Sequence, residues 1–106
     1  MKIHELKIKE EYYKAIIDGN KTFELRKNDR DYQVGDLIKF TDTLFVKEII
    51  LFVKEIINDK NMGEEYYPSP SETLFQITYI LKDVPEYGLD TEYCILGIKQ
   101  VEIKEV

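Results

Sequence analysis

Apolar residues recur at every second position in short runs along most of this chain, and at helical spacing over one stretch that ends at Gly19. Period-two runs of this length are half-buried strands, and a single helical stretch among them limits the architecture to a mainly β, α+β fold. Ile3 to Lys9 alternates, with His4, Leu6 and Ile8 on one parity and Ile3, Glu5, Lys7 and Lys9 on the other. Between Glu10 and Asp18, Tyr12, Tyr13, Ile16 and Ile17 form a helical apolar face, acids open the first turn, and Gly19-Asn20 supplies a left-handed stop. Thr22 to Arg26 alternates again, which predicts Phe23 and Leu25 in the core and Thr22, Glu24 and Arg26 together on the opposite face.

Lys27 to Gln33 is a polar turn, and Val34-Gly35-Asp36 leads into a strand over Leu37 to Phe40. Leu74 to Leu81 and Tyr93 to Ile103, rich in Ile, Tyr, Phe, Val and Thr, are the remaining strands, with a loop over Asp83 to Asp90 between them. With 106 residues, 43% of them hydrophobic, the chain suits one core, so residues 1–106 form one domain.

Residues 44–50 read LFVKEII, and residues 51–57 repeat them without a change. Seven residues are close to two helical turns, so a helix keeps both copies in phase, whereas a strand would send the second copy to the opposite faces. The repeat therefore reads as a duplicated heptad, a second flanking helix inserted over 44–57, with a β-hairpin as the other conformation open to it. Two heptads are too few for a coiled coil. Residues 58–71, with Tyr66-Tyr67-Pro68-Ser69-Pro70-Ser71, read as an extended surface loop.

Charge narrows the partners. A net charge of −6 opposes broad neutralisation of a duplex, so a small or locally read ligand is expected. The apolar runs are broken well short of the ~18 residues of a membrane span, and the start lacks a secretory stretch, which points to the cytoplasm. One histidine and one cysteine, far apart, cannot build a zinc site, and no phosphate-loop or dinucleotide spacing occurs, so neither a metal nor a cofactor is expected. Cys94 reads as a buried thiol in a strand, and His4 as a core residue hydrogen-bonded to backbone rather than a general base.

The chemistry is concentrated in Gly19-Asn20-Lys21-Thr22-Phe23-Glu24-Leu25-Arg26, followed by Lys27-Asn28-Asp29-Arg30. Spacing alone makes Glu24 and Arg26 an exposed ion pair worth under ~1 kcal/mol. The whole segment, however, carries G-x-K-x-x-E-x-R at a helix end and along the next strand, and so resembles the ASCH domain of the PUA-like superfamily. It is closer still to a short ASCH-like family of unknown function in bacteria and phages. The likeness includes His4-Glu5-Leu6-Lys7, the segment through Arg30, Val34-Gly35-Asp36 and a strand like Thr78-Tyr79-Ile80-Leu81; the duplicated heptad is not part of it.

The resemblance implies a PUA-like β-barrel with a cleft beside the motif that takes RNA or a nucleoside or nucleotide. Lys21, Thr22, Glu24, Arg26, Arg30 and Tyr79 are then the candidate ligand residues, with Tyr93 a further stacking candidate. A carboxylate can accept from a base amine or ring N–H, a guanidinium can donate to a carbonyl or phosphate oxygen, and a tyrosine can stack. One branch of the superfamily looks like an amidohydrolase that removes an acyl group from a modified cytidine with a lysine, a threonine and a glutamate. Lys21 matches the lysine. The threonine position falls on Glu24, with Thr22 nearby, and Glu64, Glu65 and Glu72 lie in the region of the third member. A phage or bacterial protein-interaction domain is a further alternative.

Overall fold

The computed structural model describes residues 1–41 and 68–102, with the side chain of Ser71 left aside. The duplicated heptad, Glu64, Glu65 and Ile103 lie outside the described residues. Five strands and one helix are described: β1 (Ile3–Lys7), α1 (Glu10–Ile17), β2 (Phe23–Lys27), β3 (Leu37–Thr41), β4 (Leu74–Leu81) and β5 (Tyr93–Val101). The strands form one sheet in the order β1-β3-β4-β5-β2, curled into a half-barrel. β1 and β3 are parallel and every other pair is antiparallel. The mainly β, α+β expectation is met at this level.

Alternation places most of the core. His4, Leu6 and Ile8 turn inward from the first segment, Ile38 and Phe40 from β3, Phe75 and Ile77 from β4, and Cys94, Leu96 and Ile98 from β5. Helix α1 closes one side with Tyr13 and Ile16, whereas Tyr12, expected in the core, is exposed and Ile17 is only half-buried. Tyr13 also anchors the helix through its hydroxyl, which donates to Pro68 O at 2.6 Å and lies 3.1 Å from Thr73 Oγ1. Gly19 ends the helix with φ +79°, a conformation that strains a side-chain-bearing residue.

The end of the expected loop over 58–71 is ordered instead: a 3-10 turn over Pro70–Glu72 opens with Ser69 and Glu72 in a capping box, Ser69 N donating to Glu72 Oε2 at 3.0 Å. The loop after β4 carries a second 3-10 turn over Pro85–Tyr87.

Strand β4 changes parity part-way. Ile77 pairs with Ile98 and Tyr79 with Gly97, which leaves Thr78 as the extra residue of a β-bulge. Tyr79 and Leu81 would have followed Phe75 and Ile77 inward; the bulge sends them outward. Gly97 makes room for it, because a Cβ there would stand 3.2 Å from Thr78 Oγ1 and 3.4 Å from Tyr79 Cβ.

Candidate functional site

Strand β2 is an edge strand, and its faces are the reverse of those the alternation predicts. Phe23 and Leu25 are 45% and 55% exposed, while Glu24 is 4% exposed and Arg26 is half-buried. The hydrophobic pattern failed because it assumed that the apolar parity faces the core. In the register with β5, Glu24 stands beside Leu96 and Arg26 beside Cys94, both fully buried, so the charged parity of β2 is the inner one. A carboxylate can occupy that position only if cations accompany it.

Two do. Lys21 Nζ donates to Glu24 Oε1, and Arg26 Nε donates to Glu24 Oε2 at 3.1 Å. The lysine is delivered by the helix end, where Lys21 N donates to Ala15 O at 3.0 Å. Its ammonium lies 5.3 Å from the Tyr12 ring centre and 5.2 Å from that of Phe23, within cation–π range of both. Tyr12 and Phe23, both exposed, thus flank the cation, a role that neither periodicity nor the motif indicated.

Arg26 has a second task. Its Nη2 donates to Lys7 O at 2.5 Å, and Arg30 Nη1 lies 3.4 Å from Glu5 O. β1 and β2 are the two edges of the sheet, so these guanidinium groups bridge the gap that a closed barrel would fill with a strand ladder. Arg30 is therefore at the same seam but on β1 rather than on Glu24. Thr22 lies at the exposed start of β2, and its carbonyl accepts Ile98 N at 3.0 Å. Tyr79, 64% exposed, and Tyr93, 37% exposed, stand on the outer face of the sheet with Phe23, opposite Glu24. Glu72 is held in its capping box at the start of β4.

A second buried polar pair lies at the far edge. His4 is buried as expected, yet its partner is a carboxylate and not backbone: Nε2 is 2.8 Å from Asp36 Oδ2. Asp36 also accepts Lys2 N and Gln33 N, both at 3.1 Å. Burial by itself would raise this carboxyl, but the His4 hydrogen bond and the two amides outweigh it and hold Asp36 at about 2, below the usual 3.8. The His4 ring packs 4.8 Å from the Tyr32 ring, and burial pushes the Tyr32 hydroxyl up. The lone core histidine was the available signal, since a buried imidazole requires a partner.

Cys94 is fully buried in β5, and burial raises its thiol, as suits an inert core residue. Among the described residues no group of three or more His, Cys, Asp or Glu is placed to hold a metal ion, and no helix is long and apolar enough to cross a membrane.

Over 37 residues, 35% of this chain, the sequence is 43% identical to the "Uncharacterized 12.9 kDa protein in GpA 3'region" of Escherichia phage P2; the match spans 34% of that protein. The model of the family described as a domain of unknown function, DUF3850, matches residues 3–98, a span that takes in both edge strands, the Lys21–Glu24–Arg26 cluster and the His4–Asp36 pair. By that match the chain belongs to the DUF3850 family.

Proposed function

We propose that this domain is an ASCH-like, PUA-like module that binds a nucleoside, a nucleotide or a short single-stranded RNA segment beside Lys21, Glu24 and Arg26. One observation carries the reading: a nearly buried carboxylate holds two cations in fixed positions at the open seam of the half-barrel, with aromatic rings at its side. Glu24 does not use up the donors of either cation. Here Lys21 spends one of about three N–H donors on Glu24, and Arg26 spends two of about five on Glu24 and Lys7 O. The remaining donors suit a carbonyl or phosphate oxygen.

Glu24 takes a different part from the one its motif position implies. Both of its oxygens already accept from cations, so its first task is to orient Lys21 and Arg26, with only residual lone pairs for a ligand amine. Tyr12 or Phe23 can carry a base against the same cluster.

The test is a thermal-shift titration with nucleosides, nucleotides and short RNAs. A ligand at one hundred times its Kd should stabilise the protein by about 2.7 kcal/mol, and Arg26→Ala should abolish the shift. Failure of every such ligand to shift the wild-type protein would overturn the proposal. Release of free cytidine from an N-acylated cytidine, stopped by Lys21→Ala, would replace binding with amide hydrolysis as the activity of this cluster.

A further inference from the structure

Tyr32 is enclosed at the seam except at its tip. The residue is 4% exposed, and its ring packs 4.8 Å from that of His4 on the inner side of β1. Among the described residues its hydroxyl has no hydrogen-bond partner, yet no buried side-chain oxygen is left unsatisfied. The hydroxyl therefore opens to water while the ring is packed, as an amphipathic side chain does when it lines a site.

The surroundings give that tip a direction. Tyr32 N donates to Arg30 O at 2.9 Å, and this tight turn brings both side chains to β1: Arg30 Nη1 lies 3.4 Å from Glu5 O while the Tyr32 ring meets His4. Arg26 arrives from β2 and donates to Lys7 O. Glu5 O and Lys7 O are two residues apart on one strand edge, roughly 7 Å, so the two guanidinium groups stand in a row along the seam. Arg30 first and Arg26 second are the charges that act most strongly on the Tyr32 hydroxyl. Asp29 acts on it in the opposite sense and more weakly than either.

Charge and donors select the ligand. Lys21 and Arg26 share the single carboxylate of Glu24, and Arg30 makes no ion pair among the described residues. The neighbouring acids do not supply one: Asp31 accepts from Gln33 Nε2 at 2.7 Å, and exposed Asp29 pairs with neither arginine. Burial pushes the Tyr32 hydroxyl up, so it keeps its proton at neutral pH and meets an anion as a donor. Two guanidinium groups and a phenol around one opening repel a cation. They also exceed what a planar carboxylate takes from one arginine, whereas a phosphate monoester, with its three acceptor oxygens and nearly two charges, can accept from all three.

We infer that Tyr32, Arg30 and Arg26 form a phosphate site at the seam, in which the Tyr32 hydroxyl donates to an oxygen of a phosphate monoester held by the two guanidinium groups. The site deepens the reading of the seam as a nucleotide site and rests on it for the base; its own content is the selectivity for phosphate.

The experiment is isothermal titration calorimetry of the whole protein with a nucleoside, its 5′-monophosphate and inorganic phosphate. The monophosphate should bind at least about tenfold more tightly than the nucleoside, and inorganic phosphate should compete with it. Tyr32→Phe keeps the ring against His4 and removes only the donor. It should remove most of that preference, since a hydrogen bond to a charged group is worth about tenfold, and leave nucleoside affinity and the thermal melt unchanged. Arg30→Gln, at an exposed position, should do the same. A monophosphate that binds no better than its nucleoside, or a preference that survives both variants, would overturn the inference while the nucleoside reading stands. Binding of inorganic phosphate that Tyr32→Phe weakens, with nothing added by the nucleoside, would uphold the phosphate site and overturn the nucleotide reading. No heat from any of the three probes would overturn both.

Discussion

Glu24 and Asp36 are the two buried carboxylates of the described residues, 4% and 3% exposed, and they are held in opposite ways. Asp36 is gripped by two backbone amides and one buried imidazole. Those partners move only if β1 or the turn before β3 moves, so this pair secures the backbone. Glu24 is gripped by the ends of two long side chains whose heads still reach water. The Lys21 head can turn outward without unfolding anything, and the Arg26 head, though also bonded to Lys7 O, is reached by solvent. Equal burial therefore does not mean equal purpose; what decides it is whether the countercharge belongs to the scaffold or can leave it.

The largest test of that contrast is Asp36→Ala. It strands two backbone N–H groups and a buried imidazole together, and should cost about 3–5 kcal/mol in urea unfolding, in the range for breaking a buried polar pair. A loss under ~1 kcal/mol would remove the distinction between the two sites.

Acid provides the next largest effect. Because Asp36 is held at about 2 when folded against 3.8 when free, its contribution is fully present above pH ~4 and disappears as pH falls toward 2. The shift corresponds to about 2.5 kcal/mol, at about 1.4 kcal/mol per pH unit. Unfolding free energy measured across that interval should decline accordingly, and Asp36→Asn should decline less steeply.

Glu24→Gln should cost less, about 1–2 kcal/mol, since Lys21 and Arg26 can swing outward once the carboxylate charge is gone. Lys21→Met should be smaller still, within about 1 kcal/mol, because Arg26 continues to hold Glu24 and the methionine keeps the packing against Tyr12 and Phe23. If Lys21→Met instead destabilised as much as Asp36→Ala, the seam would be scaffold like the other pair.

Much of this was legible in the residues themselves. β4 runs over the expected Leu74 to Leu81, α1 ends where Gly19 requires it, and the parity of His4, Leu6 and Ile8 is the buried one, because each depends on local pattern. The bulge at Thr78 was not legible, since Phe75, Ile77 and Tyr79 continue the alternation and only the pairing with Gly97 breaks it. The faces of β2 were misread for a related reason. Alternation says which residues share a face, and not which face is inside; an edge strand with a paired carboxylate can reverse the choice. The cluster's members were found through their motif, whereas the partnership of His4 with Asp36, 32 positions away, required the parallel pairing of β1 with β3.

On the proposed reading, Lys21 and Arg26 are held ready for a ligand and not merely for Glu24. The direct measurement is a proton–nitrogen NMR titration with nucleoside 5′-monophosphates, following the Arg26 Nε–H signal alongside the Lys2 and Gln33 amides that hold Asp36. A saturable shift of Arg26 Nε–H is expected, lost in Lys21→Met, with the Lys2 and Gln33 amides unmoved. An Arg26 signal that stays fixed at saturating ligand, or that moves no more than those two amides, would contradict it.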